Sequence, residues 1–144
     1  MAATKASGIK PINQIMHLFD TIVLSQDWHP KVHKSFASNH EDKNPFDTKM
    51  LSYGEQILWP DHCISGTKGA EFHPLLNSKK ANAIIRKGYN PEVDSYSTFF
   101  ENDRKSSTGL AGYLNQLNIK RIFLSGLVFE YCVGFSAIDG INLG

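Results

Sequence analysis

The chain has 144 residues, of which 41% are hydrophobic and 20% charged, and its formal net charge is +1. That suffices for one domain with a single sizeable core and is unlike the composition of a disordered chain. The near-zero charge excludes the basic footprint of a nucleic-acid binder and the polybasic patch of a membrane-surface protein, and no apolar run is long enough to span a bilayer. The opening MAATKASGIK lacks the apolar centre of a secretory signal. Two cysteines far apart, Cys63 and Cys132, do not suggest a disulfide framework, so a reducing cytoplasm is the expected compartment.

Residues 1–10 read as a loop or ragged end. Pro11 suits the first turn of a helix, and Ile12, Ile15, Met16 and Phe19 follow at helical spacing, which predicts an amphipathic helix over about 11–19. Thr21–Leu24 reads as a buried strand. A helix running into a β-branched apolar stretch is the pattern of a parallel α/β sheet. From Asp27 to about Lys80 no strong periodicity holds, but Phe36, Phe46, Tyr53, Trp59, Phe72 and His73 argue against disorder. Long irregular segments in compact domains usually carry function. Ala83–Arg86 reads as a second strand ending at Lys87-Gly88. A second amphipathic helix puts Leu110, Tyr113, Leu114 and Leu117 on one face, with Ser107 or Thr108 as its cap. Arg121–Ser125 is the expected third strand, and residues from about Cys132 to Leu143 the last helix. There is no internal repeat, and 1–144 reads as a single domain.

Candidate chemistry gathers at the strand ends. Asp27 and His29 stand two apart, so in extended backbone they point the same way while Trp28 faces elsewhere. His62 follows on the loop WPDHC, and carboxylate with neutral imidazole suits zinc, iron or manganese. Three protein ligands leave positions open for water or substrate. An isolated D-x-H is more often a solvated loop, but here Lys87 follows the second strand and Cys132 the third. Ligands of open parallel sheets bind outside the carboxyl ends of the strands, so these residues are expected to share one crevice. Near a helix start, backbone amides and the dipole favour a thiolate, can hold an oxyanion, and are helped by a neighbouring lysine. Taken singly, Cys132 reads as a structural thiol and Lys87 as a solvated charge. His17, His40 and His73 read as surface or capping residues, and Cys63, Trp28 and Phe36 as packing.

In order along the chain, SQDWHP, WPDHC, FHPLL, IIRKGYNPEVDSYSTFF and the segment Gly126–Val133 resemble the nicotinamidase/pyrazinamidase branch of the isochorismatase-like cysteine hydrolases over about Ile12–Leu143. The resemblance implies a three-layer α/β/α fold with a parallel, Rossmann-like sheet. It also implies metal-dependent hydrolysis of nicotinamide to nicotinate and ammonia through a cysteine thioester, a step of NAD salvage. By that likeness Cys132 is the nucleophile and Lys87 the triad lysine. Asp27, His29 and His62 hold the metal, zinc first, with iron or manganese as alternatives, and His33 is a supporting group or extra ligand. Trp59 and Tyr96 line the ring pocket. Leu127–Val128 matches the family's cis peptide, with the amides of Val128 and Cys132 as the oxyanion hole. The implied partners are small molecules, nicotinamide and also pyrazinamide, with homo-oligomer formation compatible.

The family's opening strand, with its Asp-x-Gln-x-x-Phe type motif and triad aspartate, has no counterpart in this sequence, nor do the last elements of the domain, so the chain is expected to be a truncated form. Loss of that aspartate alone would cost about a hundredfold in general acid–base catalysis. Asp94 and Glu130 are the carboxylates left to stand in for it or to fix loops. Phe129 stands where the family has a small residue and Glu130 where it has Asp. Two rival readings remain: a related hydrolase of another small amide, and a catalytically dead metal-binding remnant.

Overall fold

A computed structural model describes residues 8–144. Residues 1–7 of the expected N-terminal loop lie outside the described residues. Helix α1 is Ile9–Ile15, continued by a 3-10 turn, Met16–Leu18. It starts earlier than expected because Pro11 is its third residue, where the amide still has no intrahelical acceptor and its loss is harmless. Ile9 and Met16 face inward, and Phe19 turns the chain extended. Asn13 anchors the helix by donating to the Leu75 carbonyl at 2.7 Å and accepting from the Asn77 amide at 2.9 Å.

Strand β1 is Val23–Asp27; after a long connection the chain returns as β4, Ala83–Lys87, parallel to it. The register runs Val23 against Ala83 through Asp27 against Lys87, so both charged side chains leave the sheet at its carboxyl edge. The first strand therefore lies later than Thr21–Leu24, and these residues are half-buried rather than buried. Among the described residues β1 has β4 as its sole ladder partner. Arg121–Ser125 does not form the expected third strand: it joins no ladder, and its apolar side chains stand exposed, Phe123 at 68%. A strand is a pairing relation as well as a sequence pattern, and this segment has no described neighbour with which to pair.

The irregular stretch contains an unforeseen hairpin, β2 (Thr48–Leu51) against β3 (Gly54–Ile57), antiparallel. Alternation along β3 and the residue after it sends Gln56 and Leu58 into the interior and Glu55 to solvent. Loops 28–37 and 59–65 are stitched together: the His29 amide donates to the Cys63 carbonyl at 3.0 Å, the Ser65 amide to the His29 carbonyl at 2.8 Å, and the Trp59 amide to the Ser35 carbonyl at 2.7 Å. Helix α2, Leu110–Gln116, has Gly109, at φ +92°, as its N-cap rather than the expected Ser107 or Thr108, although Thr108 Oγ1 just upstream accepts the Leu110 amide at 3.3 Å. Leu110 is buried, whereas Leu117 is exposed. A single π-helical turn, Phe129–Val133, leads into α3, Gly134–Asn142. A Cβ on Gly134 would meet the Phe129 carbonyl oxygen at 2.8 Å, so this tight turn requires glycine. Among the described residues no helix is long and apolar enough to cross a membrane.

The interior is unusual in kind. Phe36, Leu58, Phe99 and Leu110 are its apolar centre, but among the described residues buried polar and charged side chains, including His29, His33, Gln56, Lys87 and Asp94, outnumber the buried apolar ones. Burying such groups is costly unless they are paired. Their pairing is therefore the place to look for function.

Candidate active site

The strand register brings Asp27 and Lys87 side by side. Lys87 is 2% exposed, and its three ammonium hydrogens have three acceptors: Asp27 Oδ1 at 2.6 Å, the Ser95 carbonyl at 2.8 Å and Cys132 Sγ at 3.4 Å. Burial alone would push this ammonium down; the Asp27 carboxylate and the Cys132 sulfur outweigh it, and Lys87 titrates above the ordinary lysine value. Lys87 is thus a fixed cation beside the thiol. Cys132 lies in the π-helical turn ahead of α3, near a helix start as expected, and its carbonyl accepts from Ser136 Oγ at 2.6 Å. The Leu127–Val128 peptide just upstream is cis, matching the resemblance, and the Val128 side chain is 47% exposed.

Asp27 also belongs to a second constellation. One ligand atom from each of Asp27, His29 and His62 lies within 4.8 Å of the others. His62 Nδ1 lies 2.9 Å from the Pro60 carbonyl, which can only accept, so this nitrogen carries the proton and Nε2 keeps its lone pair. His29 is 2% exposed; its Nε2 lies 3.1 Å from Asp94 Oδ1 while its buried Nδ1 has no hydrogen-bond partner. A carboxylate, an imidazole with a free lone pair and a buried, unspent ring nitrogen suit a divalent ion such as zinc. The aromatic ring of Phe36 packs against His29 and His62 at centroid distances of 5.3 and 5.4 Å, giving the site a dry wall. Gly88, at φ +66°, presses on the His29 ring so closely that a Cβ would fall 2.5 Å from Nε2. Glycine is the residue that fits there.

His33 is fully buried beside this group, its ring 4.8 Å from that of His29. The Ser35 amide donates to its Nδ1 at 3.1 Å. Burial pushes the His33 imidazole down, only partly opposed by Asp94. Asp94 behaves oppositely: burial would raise its carboxyl, but the hydrogen bond from His29, with the Ser95 amide, outweighs this and holds it below the ordinary carboxylate range. Asp94 therefore does not stand on Lys87 in place of a triad aspartate. Asp27 is the carboxylate paired with Lys87, Asp94 is paired with His29, and Glu130 is exposed.

Trp59 and Tyr96, the two residues expected to line a ring pocket, lie edge to face with ring centroids 6.1 Å apart and the indole Nε1 donating to the Tyr96 hydroxyl at 3.3 Å. Gln56 Nε2 also donates to that hydroxyl, at 2.8 Å. Burial pushes the Tyr96 phenol up to about 12. Tyr131, which no motif singles out in the sequence, places its ring 4.9 Å from Trp59 and 5.2 Å from Tyr96, next to Cys132. Adjacency to the cysteine was the available clue. The link between Asp94 and His29, 65 residues apart, had no local signal. Of the residues set aside as packing or surface, Phe36 is fully buried, Cys63 half-buried, and Trp28 lies under the Arg86 guanidinium at 3.9 Å. His17 and His73 are exposed and His40 is half-buried.

The isochorismatase domain family matches residues 21–144. The nicotinamidase of Acinetobacter baylyi is 52% identical over 145 aligned residues, covering all of this chain and 68% of that protein. Among solved structures, an Acinetobacter baumanii nicotinamidase/pyrazinamidase superposes with a TM-score of 0.92 at 49% identity, covering 94% of this chain and 66% of that one. The pyrazinamidase of Pyrococcus horikoshii, in complex with zinc, gives 0.71 at 31% identity, covering 94% and 65%. The chain spans about two thirds of the length of each of these relatives.

Proposed function

The chain belongs to the isochorismatase family, in its nicotinamidase branch, and from that membership we propose that it hydrolyses nicotinamide to nicotinate and ammonia. The observation that carries this reading is the placement of Lys87, which touches the thiol of Cys132 on one side and a carboxylate of the metal-binding group on the other. Pyrazinamide, a ring of the same shape and functional group, is the second expected substrate.

Cys132 Sγ is the nucleophile. Lys87 stabilises it as thiolate, and Asp27 and the Ser95 carbonyl hold the ammonium in place. Attack on the carboxamide carbon forms the C–S bond. The oxyanion then collapses, and the carbon–nitrogen bond breaks as Lys87 passes a proton to the departing nitrogen, which leaves as ammonia. Water attacks the resulting thioester, giving one proton to Lys87; the C–S bond breaks, releasing the thiolate and nicotinic acid, which yields its remaining proton to the ammonia to become nicotinate. Asp27, His29 and His62 would hold a divalent ion, which supplies a Lewis-acid anchor for the pyridine nitrogen. Trp59, Tyr96 and Tyr131 offer aromatic faces and edges to the flat ring, fixing its plane.

Ammonia release from nicotinamide by the zinc-loaded chain, compared with Cys132→Ala, tests the proposal. Turnover by the wild type and none by the variant is expected. Turnover insensitive to the substitution would reject the nucleophile, and zinc binding without turnover in either protein would reject the hydrolase reading.

A further inference from the structure

Asp94 is 2% exposed and contributes to neither the thiol pair nor the three-residue metal group, although it lies among their neighbours. Its Oδ1 accepts from the Ser95 amide at 2.8 Å, so the carboxylate is pinned by its own backbone before it meets any side chain. The same oxygen faces His29 Nε2 at 3.1 Å. Oδ2 is approached by Gln56 Nε2 at 3.4 Å, and the Asp94 amide donates to the Tyr53 hydroxyl at 3.3 Å, which in turn donates to Gln56 Oε1 at 2.9 Å. The carboxylate is therefore held at Oδ1 by its own backbone and bordered at Oδ2 by the Gln56 amide. Gly88 closes the same edge of the imidazole, since a Cβ there would overlap Nε2 and Cδ2.

An imidazole in this setting has one arrangement that satisfies both of its nitrogens. With the proton on Nε2 it is donated to Asp94, and the orphaned Nδ1 presents a lone pair; the opposite tautomer would set two acceptors against each other and bury an unpaired N–H. We propose that Asp94 is the positioning residue of the metal centre, fixing the tautomer and orientation of His29 so that Nδ1 faces the ion. The inference rests on the reading that Asp27, His29 and His62 hold that ion. Asp94, His29 and His33 also have ligand atoms within 4.8 Å of one another. One imidazole cannot use Nε2 both as a donor to Asp94 and as a ligand, so on this account that second group binds no ion of its own.

The test uses the full chain loaded with cobalt(II), whose d–d spectrum reports ligand geometry. Affinity is read by chelator competition and folding by thermal melting. The wild type is expected to bind one ion per chain. Asp94→Leu should weaken binding by about 10- to 100-fold and alter the spectrum. Asp94→Asn, which keeps an acceptor oxygen for Nε2–H, should restore the wild-type spectrum and recover most of that affinity. Should Asp94→Leu fail to fold, Asp94→Asn and Asp94→Ser decide: Ser, whose hydroxyl cannot reach the ring, must bind at least about fivefold more weakly than Asn. A purely structural role would lower the melting temperature and leave the spectrum and affinity of the folded protein unchanged, which would overturn the proposal. So would two ions per chain. Failure of the underlying reading looks different: His62→Ala would then bind cobalt as tightly as the wild type, whatever the Asp94 variants do.

Discussion

Gly88→Ala is a one-carbon change whose consequence follows from two distances. The new Cβ would fall 2.5 Å from His29 Nε2 and 2.8 Å from Cδ2, where ordinary contact begins at 3.4 Å. The ring must therefore retreat by about 0.9 Å. Retreat is opposed by Asp94 at 3.1 Å and by the His29 backbone, held to Cys63 and Ser65. A metal ligand tolerates about 0.2 Å of displacement, so the expected loss of zinc affinity is about 10- to 100-fold. Backbone strain adds to this, because φ at residue 88 is +66° and an alanine there costs about 1–2 kcal/mol of stability. Thermal melting of the metal-free proteins reads the strain, and chelator competition reads the affinity. If Gly88→Ala loses stability but binds zinc as the parent does, the residue answers only to its backbone conformation, and the argument that it seats His29 is refuted.

Other consequences are open to direct measurement. Lys87→Met removes the cation beside Cys132 and leaves Asp27 and the Ser95 carbonyl without their shared donor; turnover should fall by at least about a hundredfold while zinc binding persists, since Asp27 remains. Tyr96→Phe strips an acceptor from Gln56 and Trp59 and should cost about 1–3 kcal/mol in denaturant unfolding. Because burial raises the folded-state pKa of Tyr96 to about 12, above the ordinary 10.0, its share of stability is present below pH 10 and lost as pH rises through about 12. Alkaline melts of wild type and Tyr96→Phe should therefore converge across that window; curves that stay parallel would contradict the assignment.

The parts of the structure legible in the sequence were those with a local signature. β4 ends at the expected Lys87, and the helix after Ser107-Thr108 falls within its apolar repeat, because periodicity is a short-range signal, whereas the cap falls on Gly109 rather than on either expected residue. The three metal-binding candidates were found from residue type and a two-residue spacing, and the structure does bring them together. The hairpin Thr48–Ile57 escaped notice because Thr48, Lys49 and Met50 all face solvent and leave no alternation to read. Arg121–Ser125 misled for the converse reason: its composition is strand-like, but no described strand pairs with it. The pairings Asp27–Lys87 and Asp94–His29 depend on register and loop closure across 60 or more residues, which composition does not encode. The buried polar network around Asp94 is thus the least readable part of the chain.

The central claim is that Cys132 forms a covalent bond to the carbonyl carbon of a flat heteroaromatic amide held beside it. The most direct measurement is the intact mass of the zinc-loaded protein quenched in acid during turnover of nicotinamide. The account predicts a population heavier by one nicotinoyl group, located on Cys132 by peptide mapping and absent from Cys132→Ala. Continued release of nicotinate with no such adduct in the wild type, or an adduct on another residue, would contradict it.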